Sequence, residues 1–295
     1  MASENFRGIV LMVLSMALFA VEDMFLKWAV VDLPVGQVVF ASGAFGALVF
    51  VLIARSHGHG VFVAAARHPA VVARNIGEMV GTLGYVIALS VVPLTTVSAV
   101  LQALPLAITL GAALFMSEQV GWRRWTAIAL GFLGVMLVIQ PTSDGFSAQA
   151  LWVLVTVAGL ALRDLAARMI PKSCSNAQVS AWGMMAVSTL GILMMAFSGG
   201  VRMPDGWETL VLVGALVFGT AGYWAIIAAT RTGEVSVVAP FRYTRLVFAM
   251  AIGATVFGER PNALTLIGAA IIILSGIYAF AREQARKKAQ KQTLS

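Results

Sequence analysis

The stretch VSVVAPFRYTRLVFAMAIGATVFG, residues 235–258, decides how the rest of the chain is read. It is long enough to cross a bilayer and mostly apolar, yet its first half holds Pro240, Arg242 and Arg245. An arginine at membrane depth costs at least about 2.5 kcal/mol, so it must face a partner or a polar cavity between helices. Pro240 lacks a backbone N–H and its ring clashes with the preceding turn, so a kink is expected there. Arg242 and Arg245 are three apart and share a helix face. The structural alternatives are a permanent ion pair with a buried acid, or a reach to the membrane interface.

Outward from this stretch, the whole chain is apolar. Of its 295 residues 60% are hydrophobic and 11% charged, against about a quarter charged in soluble domains. This composition belongs to a polytopic membrane protein. Cys174 is the one cysteine, which excludes an internal disulfide and a cysteine metal cluster. His57, His59 and His68 fall in one loop and read as solvated rather than metal-binding, and no metal or cofactor is expected. The net charge of +7 sits largely in loops and in the tail Arg282, Arg286, Lys287, Lys288 and Lys291. Such a distribution sets membrane orientation and does not indicate a nucleic-acid partner. The first apolar run lacks a small-residue cleavage site and carries Glu22 and Asp23, so it reads as a span and not a signal peptide.

With about 20 apolar residues per crossing, ten spans are expected: 8–28, 34–54, 70–91, 94–116, 122–140, 147–168, 177–198, 208–229, 235–258 and 262–281. With the N-terminus inside, Arg7, Arg55, Arg67, Arg123, Arg124, Arg168, Lys172, Arg231 and the tail fall on the inner side. Lys27, Arg202 and Arg260 fall outside. The positive-inside rule then places both termini in the cytoplasm.

An offset of 141 residues aligns the two halves without a gap. Asp23 meets Asp164, Gln37 meets Gln178, Gly81 meets Gly222 and Glu118 meets Glu259. Five spans per half, an odd number, make the second half enter the membrane from the opposite side. The expectation is therefore an all-α integral membrane protein of two inverted five-helix repeats, residues 1–141 and 147–281. A turn-rich linker at 142–146 and a basic cytoplasmic tail at 282–295 complete it. Gly111, Ala112, Ala113, Gly131, Gly134, Gly268 and Gly276 mark close helix packing, so the 4–5 and 9–10 hairpins read as scaffold. Spans 1–3 and 6–8 carry more polar groups and read as the path.

The segment LTTVSAVLQALPLAITLGAALFMSE followed by RRWTAIALGFLGVMLVI is echoed by GEVSVVAPFRYTRLVFAMAIGATVFGE followed by NALTLIGAAIIILSGIYAF. Over residues 7–281 this pattern resembles the drug/metabolite transporter superfamily in its EamA-type branch. The resemblance implies a central cavity between the halves, alternating access, and movement of a small metabolite across a bacterial inner membrane. FAVEDMFLK, residues 19–27, also looks like a subgroup that moves larger metabolites such as adenosyl or flavin compounds. Many of that subgroup carry an arginine early in span two, where this chain has Ser42 and Gly43.

The candidate substrate-binding residues are Arg242, Arg245, Glu22, Glu78, Tyr85, Gln102, Arg163, Trp182, Tyr223 and Tyr243. Guanidinium forks suit carboxylate or phosphate, which points to an anionic or zwitterionic solute. Glu22 or Asp23 is the candidate for a coupling proton or a substrate ammonium. Glu22 is preferred because Asp23 has a repeat mate in Asp164, which favours a structural role. Arg74–Glu78 and Arg163–Asp164 are candidates for mutual neutralisation. Adjacent helical residues point about 100° apart, so Arg163 and Asp164 are not expected to face one spot. Gln102 and Tyr243 are repeat mates and belong at one level of the path. Trp122, Trp125, Trp152 and Trp207 lie near span ends and read as interface anchors.

The leading expectation is a secondary transporter working as a monomer or homodimer among membrane lipids. The alternative is a proton-coupled exporter of cationic lipophilic drugs built on Glu22 or Asp23. The chain carries no GxxxxGK[ST] loop, so it is not its own ATPase. Without a Ser/His pair or a metal cluster, it is not expected to be an enzyme.

Overall fold

The computed structural model describes residues 2–118, 120–140, 148–198, 200–232 and 234–293. The expected linker at 142–146 lies outside these residues, as do the side chains of Arg231, Arg286, Lys287, Lys288 and Lys291. The described residues form helices and turns, with no strand among them. The helices are α1 (Ala2–Asp32), α2 (Val35–Ser56), α3 (Pro69–Val91), α4 (Leu94–Leu101), α5 (Leu104–Phe115) and α6 (Trp122–Ile139). They continue as α7 (Trp152–Ala167), α8 (Asn176–Ser198), α9 (Gly206–Thr232), α10 (Val235–Val238), α11 (Thr244–Val256) and α12 (Ala263–Thr293).

Among the described residues, seven helical stretches are long and apolar enough to cross a membrane: Glu4–Asp32, Val35–Ser56, Leu94–Phe115, Trp122–Ile139, Asn176–Phe197, Gly206–Thr230 and Ala263–Arg282. The other three expected spans coincide with helix but fall short, each for a visible reason. Pro69–Val91 carries Arg74, Asn75 and Glu78. Trp152–Ala167 has 16 residues and holds Arg163 and Asp164. Residues 235–256 are broken, with a 3-10 turn at Ala239–Tyr243 between α10 and α11. Pro240 lies in that turn, as its missing donor requires.

The fourth expected span, 94–116, is likewise two helices. Pro105 has no N–H for the Leu101 carbonyl, and α4 ends at Leu101. The repeat mates Gln102 and Tyr243 thus both stand at a helix break. Helix α12 runs on to Thr293, through most of the expected tail.

The chain divides into two compact units, with boundaries inside α1 and α9. The first unit comprises Met1–Val21, Pro93–Ala148 and Ala221–Ser295. In it α4 packs on α11 and α12, and α6 packs on α12. The expected scaffold helices therefore meet across the repeats, α6 with α12 and α4 with α11, and not merely as two hairpins. A Cβ on Gly134 would lie 2.8 Å from the Gly268 carbonyl oxygen, so α6 and α12 meet backbone to backbone. The Gln140 and Asn262 amides bond reciprocally at 2.9 and 3.0 Å and tie the end of α6 to the start of α12.

Helices α5 and α11 end in the same turn. Met116 and Glu118 N–H donate to the Ala112 carbonyl at 3.0 and 3.2 Å; Phe257 and Glu259 donate to that of Gly253 at 3.2 and 2.8 Å. Between the donors, Ser117 and Gly258 are left-handed, with φ of 53° and 64°. Glu259 then reaches the start of α4, where its carboxylate accepts the Leu94 and Thr95 N–H at 2.6 and 2.9 Å. That caps a helix N-terminus whose donors have no intrahelical partner.

The second unit comprises Glu22–Val92 and Gln149–Thr220. Helices α2 and α8 run antiparallel, since a Cβ on Gly36 would lie 2.7 Å from the Met195 nitrogen and one on Gly43 2.7 Å from the Ser188 Cα. Helices α3 and α7 are joined the same way, through Gly77 against the Gly159 carbonyl and Gly84 against the Thr156 nitrogen. Each end of the α2–α8 pair straps a loop through a repeat-related glutamine. Gln37 donates to the Arg202 carbonyl at 2.8 Å and accepts its N–H at 3.0 Å. Gln178 donates to the Gly60 carbonyl at 2.6 Å.

Candidate functional site

In the first unit three candidate residues, Arg242, Tyr243 and Arg245, lie on the broken stretch around Pro240. The 3-10 turn leaves Arg242 exposed. Arg245, in the first turn of α11, places its guanidinium 5.4 Å above the Phe19 ring of α1, within cation–π range. Ser15, one turn before Phe19, donates to the Gly222 carbonyl of α9 at 2.7 Å and fixes α1 there. The Tyr243 hydroxyl lies on Gly276 of α12, in the space a Cβ would fill. Gln102 closes α4 and is 9% exposed, with its Nε2 lacking a hydrogen-bond partner among the described residues. Tyr223 lies half-buried on α9.

In the second unit the charges of α3 and α7 close on one another. Arg74 pairs with Glu78 at 2.7 Å, Glu78 with Arg163 at 3.3 Å, and Arg163 with Asp164 at 2.7 Å. The two arginines and two carboxylates sum to zero. The Arg74 guanidinium lies against Gly183 of α8, where any side chain would collide with it. The expectation that Arg163 and Asp164 cannot serve one spot is corrected here: the long arginine side chain spans the 100° offset and bonds its neighbour's carboxylate.

Asp23, 1% exposed, accepts a hydrogen bond from the Tyr85 hydroxyl. Its repeat mate Asp164 has a side chain 36% exposed and is bound to Arg163, so equivalent positions have different surroundings. The Glu22 carboxylate rests on Gly219 of α9. Beside it Phe25 stacks on Phe218 at 5.6 Å, and Trp28 meets Trp207 at 5.7 Å. Trp182 is 5% exposed and donates its indole N–H to the Val61 carbonyl at 2.8 Å, anchoring the loop after α2. His68 accepts the Ala70 N–H at the start of α3 and His57 bonds Ile53, so these two histidines serve helix ends. Trp122 and Trp207 are exposed in the first turns of α6 and α9, as interface anchors would be.

Sequence reasoning passed over Phe19, Ser98 and the capping role of Glu259. Phe19 stands one turn from Glu22 and Ser98 one turn from Gln102, a spacing that would have brought both forward.

Comparison with known proteins gives the family. The model of the EamA-like transporter family matches twice, at residues 6–140 and 148–281. A riboflavin transporter of Vibrio cholerae is 30% identical over 68% of this chain and 66% of its own length. An S-adenosylmethionine uptake transporter of Rickettsia felis is 24% identical over 94% of this chain and 93% of its own. A pseudopaline exporter of Pseudomonas aeruginosa is 27% identical over 92% and 94%. A crystal structure 20% identical in sequence covers 97% of this chain and 98% of its own with a TM-score of 0.58, which establishes likeness of fold. Two family matches that together take in nearly all of an apolar helical chain make it a multi-pass integral membrane protein and a member of the EamA-like transporter family.

Proposed function

We propose that the protein is a secondary active transporter that moves an anionic or zwitterionic organic solute by alternating access between inverted repeats. The observation that carries the reading is the place of two arginines at a break in an apolar segment. Arg242 lies in the 3-10 turn that holds Pro240, and Arg245 lies in the first turn of α11 directly after it. Discontinuous helices, whose half-helix N-termini point at anionic groups of the substrate, are typical binding elements of inverted-repeat transporters. Arg242 and Arg245 take the solute's anionic group, with Tyr243, Tyr223 and Gln102 as polar neighbours. Glu22 takes the coupling proton or an ammonium. Glu78, Arg163 and Trp182 support the path, through the ion chain and the loop anchor respectively. The ten segments cross the inner membrane of a bacterium with both termini in the cytoplasm. Relatives named for riboflavin and S-adenosylmethionine make those two solutes the first to try; S-adenosylmethionine offers the arginines a carboxylate, whereas riboflavin, uncharged at neutral pH, offers only carbonyl oxygens.

The test is a thermal-shift panel on purified protein with riboflavin, S-adenosylmethionine, amino acids and a lipophilic cation. A ligand at about 100 times its Kd adds about 2.7 kcal/mol to the native state. Stabilisation by an anion or zwitterion that disappears in Arg242→Gln supports the reading. Stabilisation by lipophilic cations alone sinks it and favours the drug-export alternative. Glu22→Gln should flatten the pH dependence of uptake; an unchanged profile removes Glu22 from coupling.

A further inference from the structure

We propose that Ser98 and Gln102 form a hydrogen-bonding site for a carbonyl or carboxylate oxygen of the transported solute, a site that is closed in the conformation described and uncovered when the fourth segment bends at its break. This rests on the transporter reading above. Ser98 is 2% and Gln102 9% exposed, and neither Ser98 Oγ nor Gln102 Nε2 has a hydrogen-bond partner among the described residues. Buried polar groups are almost always satisfied, and an orphan carries the full cost of its lost hydration. A helical hydroxyl also has an easy remedy in the carbonyl four residues back. Thr109, Thr189, Thr220 and Thr255 all take it in this chain. Ser98 does not.

The two orphans stand one turn apart, on the side of α4 that also carries Thr95. That side meets α11, because the Thr95 methyl lies 2.7 Å from where a Gly253 Cβ would be. One and two turns back along α11 stand Ala249 and Leu246, buried and apolar, which have no polar atom in their side chains to offer. The proline break follows directly after Gln102. Pro105 leaves the Leu101 carbonyl without its helical donor, so the ladder has least resistance to bending there. The chemistry of the ligand follows from the groups. An amide nitrogen donates and cannot accept, and a hydroxyl can donate beside it. Two donors one turn apart call for an oxygen acceptor.

The test replaces Ser98 with cysteine in Cys174→Ser protein, which removes the one native thiol. N-ethylmaleimide should label Ser98→Cys in membranes at least tenfold faster than Ala99→Cys, whose parent residue is 1% exposed on the same helix. Riboflavin or S-adenosylmethionine should slow that labelling. Labelling at the Ala99→Cys rate would overturn the uncovering. Fast labelling unaffected by a solute that stabilises the wild type would overturn the solute contact alone. A wild type stabilised by the lipophilic cation alone would sink this proposal together with the reading it rests on; where an amino acid is the stabilising solute, it replaces riboflavin and S-adenosylmethionine in the labelling test. Gln102→Met gives an independent measure: the solute-free protein should melt higher while uptake falls at least tenfold. A lower melting temperature in Gln102→Met would make Gln102 structural and overturn its assignment.

Discussion

Glu78 is the residue on which the charge chain of the second unit turns. It accepts from Arg74 on its own helix and from Arg163 on α7, with its side chain 10% exposed. Removing one member of a buried ionic set leaves the others uncompensated, at a cost of about 3 kcal/mol. Glu78→Gln should therefore lower the melting temperature clearly, while Glu78→Leu with Arg74→Met should recover much of the loss, because Arg163 keeps its pair with Asp164. A neutral Glu78→Gln would mean that water, not the carboxylate, satisfies the arginines. The sequence shows the Arg74–Glu78 pair openly, because four residues is one helical turn. It cannot show that Arg163, 85 residues further on, completes the set. Trp182 is a similar case: an aromatic inside a span reads as a path residue, but its partner is a loop carbonyl that only the folded chain supplies.

At the scale of elements, helix ends carry the information that periodicity misses. The breaks at Gln102 and Tyr243 follow from Pro105 and Pro240, and the second was legible as a kink in advance. The first was passed over because Pro105 lies in an otherwise unbroken apolar run. The turns after α5 and α11 offer a direct comparison. Ser117 holds a left-handed conformation that its mate Gly258 adopts without a Cβ. Ser117→Gly should add about 0.5 to 1 kcal/mol to stability, measured by denaturation in detergent. Glu259→Ala, which uncaps two N–H groups of α4, should cost about 1 to 2 kcal/mol. Because Glu118 leaves its turn as Glu259 does, Glu118→Ala should cost a similar amount. A cost confined to Glu259→Ala would show that only one repeat depends on its carboxylate.

For the whole molecule, hydropathy and lysine–arginine placement carry most of the reading. Among the described residues seven of the ten expected spans are helical stretches long and apolar enough to cross a membrane, and lipid favours helix there because it forces backbone groups into local hydrogen bonds. Reporter fusions test the proposed orientation: a phosphatase active only outside the cytoplasm should be inactive after residue 295 and active when inserted at Arg202. The reverse pattern would invert the topology. What the sequence withheld is which helices pack together. Apolar faces look alike, and the pairing of α6 with α12 or α2 with α8 depends on single glycines that admit one particular neighbour.

Several of these attachments cross from one family match to the other. Glu259 caps a helix of residues 6–140. Gln37 holds a loop of residues 148–281, and Gln178 holds one of residues 6–140. Each compact unit likewise draws its chain from both stretches. Neither stretch made alone would own the groups that finish its helices and loops. Cut into two polypeptides between them, the protein should be degraded as single fragments and rescued when both are made in one cell. The duplication thus did not produce two modules standing side by side, but two incomplete chains that are each other's missing part.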